Sequence, residues 1–358
     1  MDTKQRYDWV DAAKGISIIL VVMMYAAHNV GKYTGEVGVL HYIIGFATPF
    51  RMPEFFMISG LFLSLVIARD WKRYADRRVV HYFYFYAVWA AINIILKVGF
   101  AGRDAGGMLS ELALAAVQPY GVLWFIYMLG IFSAIAKLAW QFKLPHWLVL
   151  AVSAALMMAP INVASYAVTQ FCAYFVFFYL GYAASPYIFK LVEHAAARPL
   201  LAVLGLAVWA VAEAYLVFWP NGVLHPLDME MGYAAFPPLH LTLAVVGAVA
   251  LCVMSALLTK FAFMDWLRWL GQRSLVVYLA FTLPMSAIRI VAMKLSFTDT
   301  SLLSCVVLVG AVLAPVVLYL IVKRIGFGTF LFERPAWAHI PGTPGSRNPA
   351  QPAPAPAE

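Results

Sequence analysis

The sequence predicts an all-α membrane protein, a polytopic bundle of about ten transmembrane helices. Hydrophobic residues make up 64% of the 358 residues, and charged residues make up only 12%. Soluble globular domains carry about 25% charged residues, and many apolar runs in this chain reach the roughly 20 residues that span a bilayer. These observations exclude the soluble protein classes.

Short polar turns separate the apolar runs, so we expect a single transmembrane domain over residues 1–330. The segment Leu40–Phe50 is apolar but too short to cross, and we expect it to dip into the outer leaflet or lie on it before Pro49 and Pro53 break the helix. Residues 331–358 are rich in Pro, Gly and Ala, which predicts a disordered cytoplasmic tail. The ten predicted spans are centred on residues 14–30, 53–69, 80–100, 121–141, 146–161, 166–188, 199–219, 238–260, 274–294 and 302–322.

The distribution of Lys and Arg predicts the orientation in the membrane. The N-terminal end and the even-numbered connections hold 19 of the 25 basic residues. Both termini are therefore predicted to be cytoplasmic, with residues 222–238 facing the periplasm. The net charge of +8 follows from these loops and does not indicate a nucleic-acid partner. The basic residues on the opposite side are Lys32, Arg51, Lys97, Arg103, Arg289 and Lys294.

The three cysteines, Cys172, Cys252 and Cys305, lie inside apolar runs and lack metal-ligand spacing. They are interpreted as small buried hydrophobes, and the sequence predicts no metal site. The first apolar run carries no small-residue cleavage site, so we expect no separate signal peptide.

The first span carries three polar side chains on one helical stripe. Lys14 and Tyr25 are eleven residues apart, which places them on one face about 16 Å apart along the axis. His28 lies one turn further, within about 40° of the same stripe. Polar groups in a lipid-length helix are costly and tend to face a protein cavity. The alternative is that Lys14 reaches the headgroups while Tyr25 and His28 bond a neighbouring helix.

At the outer end of the second predicted span, Arg51 and Glu54 flank Pro53, and the two charged side chains could pair with each other. Ser59 and Gly60 follow deeper in the span. A Ser–Gly pair in a span more often marks a close helix contact than a catalytic serine.

Arg77, Arg78 and His81 lie at the cytoplasmic mouth of the third predicted span. Guanidinium groups donate bidentate hydrogen bonds that suit phosphates. The alternative is plain positive-inside topology, which needs no ligand. The aromatic run 82–86 is either a membrane-interface belt or a wall for an adenine ring.

The ninth predicted span begins at Ser274 and carries a kink at Pro284. Arg289 lies about 22 Å beyond Ser274 by helical rise, in the outer third of the membrane. An Arg at that depth is expensive unless it is paired or solvated. Glu213 and His240 are isolated polar residues in neighbouring spans, and either could be its partner.

Six blocks, spread in order over most of residues 8–280, together resemble the membrane-bound acyltransferase-3 family, in particular its fucose 4-O-acetylase-like branch. The resemblance implies a bundle of about ten transmembrane helices that moves acyl groups, often acetyl from acetyl-CoA, onto sugars of surface or exported glycans. The blocks are DWVDAAKGISIILVV, MPEFFMISGLFLS, the RR…Y..W block at Arg77–Trp89, VLWFIYMLG, FVFFYLGY and LGQRSLVVYLA.

The chain departs from the family pattern at several positions. In the first span the pattern has a basic residue, here Lys14, then ten others, then His, and the His position holds Tyr25. The basic residue of the third-span block falls at His81, and a common Pro of that block is Phe85. The His that often follows SL..YL is Phe281.

These departures bear on the proton acceptor. A tyrosine, with a pKa of about 10, is a poor general base at neutral pH. His28, one turn beyond Tyr25, is the natural replacement, and the other possibility is that catalysis has been lost.

The sequence therefore predicts an O-acyltransferase of the bacterial cytoplasmic (inner) membrane that uses acyl-CoA, with acetyl-CoA expected, as co-substrate and binds no resident cofactor. Its partners would be membrane lipid, acyl-CoA and a sugar or glycan acceptor. The alternative is a non-catalytic transport or accessory protein that kept the fold. The predicted site residues are His28 and Tyr25 (catalytic), Lys14, Arg77, Arg78 and His81 (donor-binding), and Arg51, Glu54 and Arg289 (acceptor side).

Overall fold

Helices account for nearly all the regular structure in the computed structural model, which describes residues 7–100, 105–161, 163–294 and 299–347. In that part of the chain the only strands form one two-stranded antiparallel hairpin, β1 (Val223–Leu224) and β2 (Met229–Glu230). The prediction of an all-α polytopic membrane protein is confirmed.

Contacts divide the chain into two compact units. The first unit comprises Met1–Phe62, Pro145–Asn162 and Cys172–Ile321, and the second comprises Leu63–Leu144, Val163–Phe171 and Val322–Glu358.

The α-helices follow the apolar runs of the sequence. In the first half of the chain they are α1 (Asp8–Thr34), α2 (Val39–Ala47), α3 (Arg51–Leu61), α4 (Trp71–Ala75), α5 (His81–Phe100), α6 (Ala105–Val117), α7 (Trp124–Gln141) and α8 (His146–Met158). A π-helical segment, Asp76–Val80, joins α4 to α5.

The second half of the chain contains two helix pairs that bend sharply at a short break. In the first pair, α9 (Tyr166–Ala183) and α10 (Ser185–Ala197) meet at a bend of 74°. In the second pair, α14 (Ser274–Ala280) meets α15 (Thr282–Lys294) at a bend of 56°, measured to the Thr282–Ala292 part of α15. The remaining helices are α11 (Pro199–Phe218), α12 (Pro237–Leu258), α13 (Asp265–Gly271) and α16 (Thr300–Ile325). Short 3₁₀ turns cover Gly121–Leu123, Tyr233–Ala235, Ala262–Met264, Thr329–Leu331 and Ala336–Ala338.

The sequence predicts about ten spans, and the described helices can be compared with that number by their length and composition. Six stretches of the described chain are long and apolar enough to cross a membrane, and eight qualify if each bent pair is one span. Predicted span 53–69 corresponds to α3, whose 11 residues extend only about 16 Å, followed by turns. Predicted span 146–161 corresponds to α8, whose 13 residues extend about 20 Å. Composition alone does not separate a helix from the apolar turn that follows it.

Glycines allow helices of the first unit to touch backbone to backbone. A Cβ atom on Gly271 of α13 would lie 1.7 Å from the Asp11 carbonyl oxygen of α1. A Cβ on Gly60 of α3 would lie 2.1 Å from the Phe178 carbonyl oxygen of α9. Small residues at such contacts let membrane helices approach closely. The expectation that Ser59 and Gly60 mark a close helix contact is confirmed, and the Ser59 hydroxyl donates to Phe55 of its own helix, 2.8 Å away.

In the second unit, the C-terminal segment is fixed to the π-helical segment by a buried ion pair. Arg334 Nη2 lies 2.7 Å from Asp76 Oδ2, with side chains 3% and 1% exposed. His339 Nδ1 lies 3.0 Å from the same oxygen, and the Ile340 N–H donates to Asp76 Oδ1 at 2.8 Å. The prediction of a disordered tail is therefore wrong for residues 334–340, because these contacts hold them. Residues 348–358 of the predicted tail lie outside the described residues.

Candidate functional site

A cavity of about 190 Å³ lies in the first unit, where α1, α2 and the start of α3 meet the β1–β2 hairpin. We call it the inner cavity. It contains four ionisable side chains: an imidazole from each of α1 and α2, the guanidinium of α3 and a carboxylate from the hairpin tip. Its lining residues are His28, His41, Ile44, Gly45, Thr48, Arg51, Leu224, Leu227, Asp228 and Met229.

Two glycines let the hairpin lie close to the helices beside this cavity. A Cβ on Gly31 of α1 would come within 2.6 Å of the Pro226 carbonyl oxygen. A Cβ on Gly45 of α2 would come within 2.8 Å of the Leu224 side chain. Any larger residue at either position would push the hairpin tip away from His28.

His41 is held by both of its ring nitrogens. The Gly38 N–H donates to Nδ1 at 3.0 Å, so the ring proton is on Nε2, which donates to the Pro226 carbonyl oxygen at 3.2 Å. This arrangement fixes the tautomer and ties the hairpin tip to α2. His41 is thus a structural imidazole and is not available to take a proton.

His28 is half-buried, and its ring centroid lies 6.2 Å from that of His41. It interacts electrostatically with the Arg51 guanidinium and with the Asp228 carboxylate. Among the described residues, no hydrogen bond occupies the His28 ring nitrogens. His28 is therefore the imidazole of this cavity that can accept a proton from a ligand.

Arg51 is 8% exposed, and its Nη2 lies 2.9 Å from Met24 Sδ. Its charge also interacts with the hydroxyls of Tyr25 and Tyr174. The predicted pairing of Arg51 with Glu54 does not form. Glu54 is fully buried and hydrogen-bonded to Ser17. The two side chains diverge because they reach points on α1 that are separated by about 10 Å of helical rise.

The structure brings together only some of the predicted acceptor-side residues. Arg51 lines the inner cavity together with His28, whereas Glu54 and Arg289 are not among its lining residues. Arg289 is half-buried on α15, and no contact joins it to Glu213 or His240 within the described residues.

Tyr25 does not line the inner cavity either. Its ring packs against Phe281, with centroids 5.4 Å apart and planes at 40°. Phe281 is fully buried. The two positions where the sequence departs from the His of the resembled pattern therefore contact each other.

The predicted donor-binding residues belong to both units. Lys14 is half-buried on α1 of the first unit, and the other three lie on the π-helical segment and the first residue of α5 in the second unit. Arg77 is exposed, and Arg78 lies with Nη1 3.5 Å from the Tyr82 hydroxyl. The His81 ring packs edge-on against Phe85 at 5.1 Å.

The aromatic run 82–86 is mostly engaged in packing. Phe85 and Tyr86 are buried, and the Tyr86 hydroxyl donates to the Ala115 carbonyl oxygen at 2.6 Å. The Tyr84 hydroxyl donates to the Phe330 carbonyl oxygen at 3.0 Å. These contacts fix the helix that presents Arg78 and His81, and they leave Tyr82 as the ring that faces the guanidinium.

A second cavity, of about 480 Å³ and open to solvent, adjoins the hairpin on its other side. We call it the outer cavity. It shares Leu227 and Asp228 with the inner cavity. Its lining residues are Gly31, Lys32, Gly35, His225, Pro226, Leu227, Asp228 and Glu230.

Sequence reasoning missed His41, Asp228 and Lys137. The signal for His41 was present, because it is a polar residue in an otherwise apolar nine-residue helix. Asp228 lies in a loop where nothing in the sequence marks it. Lys137 is one of the 19 basic residues that the sequence assigns to the cytoplasmic side. It is 2% exposed, its Nζ donates to the Arg69 carbonyl oxygen at 2.8 Å, and Nζ lies 4.2 Å from the centroid of the Trp140 ring.

The acyltransferase-3 family, described as an acyltransferase domain, matches residues 7–320 of this chain. The chain belongs to the acyltransferase-3 family. The match includes α1, α3 and the π-helical segment, and it extends over most of both compact units. Comparison with curated proteins and with solved structures finds no match. Family membership and the apolar helices together make the protein a multi-pass membrane acyltransferase by family.

Proposed function

We propose that this protein is an integral membrane O-acyltransferase that transfers an acyl group, with acetyl as the expected group, from acyl-CoA to a hydroxyl of a sugar or of a surface or exported glycan. The observation that carries the proposal is the inner cavity, where His28 of the family's first helix faces Arg51 and Asp228. In this proposal Tyr25 acts only through its electrostatic interaction with Arg51.

The chemistry follows from the groups in the cavity. The acceptor hydroxyl gives its proton to His28 as its oxygen attacks the thioester carbonyl carbon, and the C–S bond then breaks to release the CoA thiolate. Imidazole is the side chain that most often serves as a general base. Asp228 would stabilise the imidazolium that forms, and Arg51 would stabilise negative charge on the carbonyl oxygen. Direct transfer requires no Ser or Cys nucleophile.

The donor would be held by its phosphates. Arg77, Arg78 and His81, which all belong to the second unit, are the proposed contacts, since guanidinium groups bind phosphate oxygens bidentately. With both termini cytoplasmic, the donor would come from the cytoplasm across a bacterial inner membrane, as the asymmetry of Lys and Arg supports.

One observation favours a second candidate, a non-catalytic transport or accessory protein that kept the fold. Tyr25 and Phe281 fill both positions where the resembled pattern has His, and they pack against each other. A transporter would move its substrate without consuming acyl donor. CoA release therefore separates the two candidates.

The test is acetyl-CoA-dependent CoA release by purified protein, with His28→Ala compared to wild type. General-base loss typically lowers a rate by about 10²–10⁴-fold, and donor affinity should stay unchanged. His194→Ala is the matched control, because His194 is an exposed imidazole on α10. A wild-type rate that His28→Ala leaves unaltered would refute the proposed base.

A further inference from the structure

The outer cavity is larger than the inner cavity, and the difference indicates which of the two can hold a whole ligand. Ligand pockets usually measure about 300–1,000 Å³. The outer cavity, at about 480 Å³, falls in that range, and the inner cavity, at about 190 Å³, falls below it. The outer cavity therefore has the volume of an ordinary ligand pocket, and the inner cavity is too small to be one by itself.

The wall between the cavities is the hairpin tip, since Leu227 and Asp228 line both. The tip is held in place by several bonds. The His225 N–H donates to the Asp228 carbonyl oxygen at 3.0 Å, closing the turn. His41 binds the Pro226 carbonyl oxygen from α2. The position of the wall relative to His28 is thus fixed by the fold.

The outer cavity offers both hydrogen-bond donors and acceptors. Lys32 donates, the carboxylates of Asp228 and Glu230 accept, and His225 Nε2 lies 3.8 Å from Glu230 Oε1. Hydroxyl groups suit such a lining because each both donates and accepts. Two carboxylates against one ammonium disfavour an anionic ligand by like-charge repulsion. The lining therefore fits a neutral, hydroxyl-rich ring.

We infer that the outer cavity is the acceptor site, that it binds a neutral sugar, and that the hairpin tip passes one sugar hydroxyl to His28. The inference rests on the proposed acyl transfer for its reaction, and on the two cavities for its location. Leu227 and Asp228, which line both cavities, would contact the sugar, and Asp228 would hold the reacting hydroxyl. Both would act as specificity-determining residues.

The experiment measures binding, so that it does not depend on turnover. A Leu227→Cys variant in a Cys305→Ser background is labelled with N-ethylmaleimide, since Cys172 and Cys252 are buried. Methyl hexopyranosides (glucoside, galactoside and fucoside) are added as neutral probes, and methyl glucuronide as the anionic probe. Val223→Cys is the matched control, being an exposed hairpin position outside both cavities.

We expect at least one neutral glycoside to slow labelling at position 227 several-fold, with no effect at position 223 and little protection by the glucuronide. Adding Asp228→Asn should weaken the protection by roughly tenfold, as when a charge-assisted hydrogen bond becomes a neutral one. Unchanged labelling with every glycoside, or equal protection by glucoside and glucuronide, would overturn the inference. If His28→Ala still abolishes transfer in that case, the proposed function survives and only the acceptor site is elsewhere.

Discussion

Tyr25 and Phe281 pack together where the resembled pattern has two histidines, and His28 lies one helical turn beyond Tyr25 in a cavity of its own. A tyrosine packed against a phenylalanine cannot replace histidine as the general base, because a phenol has an unperturbed pKa of about 10. The base has therefore moved along α1 in our account. The distance is about 4.5 Å of helical rise.

Substitutions at position 25 test this relocation. Tyr25→Phe keeps the packing on Phe281 and should reduce acyl transfer far less than His28→Ala does. Tyr25→His restores the pattern's imidazole and should add little to wild type, or should rescue His28→Ala. Rates of CoA release from acetyl-CoA measure both effects. An inactive wild type that gains transfer from Tyr25→His would instead indicate that catalysis had been lost.

The donor side provides a second residue-scale prediction. If Arg78 binds a CoA phosphate, Arg78→Ala should weaken acyl-CoA binding by about 1.5–3 kcal/mol, the value of a hydrogen bond to a charged group. Arg73→Ala is the control, because Arg73 is exposed and pairs with Asp70 at 3.6 Å. Binding should be measured beside the amount of inserted protein. Unaltered binding with a changed membrane orientation would favour the positive-inside explanation.

Helical spacing predicts Lys14, Tyr25 and His28 on one stripe, whereas of these three only His28 lines the inner cavity. His41 and Asp228 were not predicted, because their roles depend on how α2 and the hairpin fold back on α1. The possible pairing of Glu54 with Arg51 fails for a related reason: the partner of Glu54 is Ser17, 37 residues earlier in the chain. The spacing of residues in the sequence predicts which of them share one face of a helix. It does not predict which other element packs against that face.

Among the structural elements, the C-terminal segment is bound to the π-helical segment by the buried Arg334–Asp76 ion pair, which we call the clamp. The amino-acid composition of the tail does not predict this contact. Arg334→Ala would leave the Asp76 carboxylate buried without its guanidinium, which typically costs about 3–5 kcal/mol. We expect a lower thermal midpoint and faster proteolysis within residues 334–347. Arg347→Ala, at an exposed position, is the control.

A double variant, Asp76→Asn with Arg334→Gln, sharpens this test. Removing both charges should cost less than removing the arginine alone, since no uncompensated charge remains buried. If Arg334→Ala and Arg347→Ala have equal thermal midpoints, the clamp does not stabilise the second unit.

The tail was predicted to be disordered because Pro, Gly and Ala dominate it, and amino-acid composition cannot predict that a single Arg pairs with a buried carboxylate.

For the whole molecule, the orientation remains a prediction from the asymmetry of Lys and Arg. With cytoplasmic termini, a membrane-impermeant thiol reagent added from outside should label a cysteine at Asn221 and miss one at Asp70. Both positions are exposed, so access to the side chain does not bias the comparison. The reverse pattern would contradict the orientation, and it would move the proposed donor site to the wrong side of the membrane.

At this scale the sequence predicted the class of fold and the family. Hydropathy identified the long helices α1, α11, α12 and α16. It could not foresee that α3 ends at Leu61 or that α8 has only 13 residues, because an apolar run can continue into turns, as residues 62–67 do after α3.

The central claim is that the inner cavity performs acyl transfer with His28 as the base. The most direct measurement records acetyl-CoA binding and acetyl transfer on the same preparations of wild type and His28→Ala. The account predicts equal donor affinity and a transfer rate lower by about 10²–10⁴-fold in the variant. Equal transfer rates in the two proteins would contradict it.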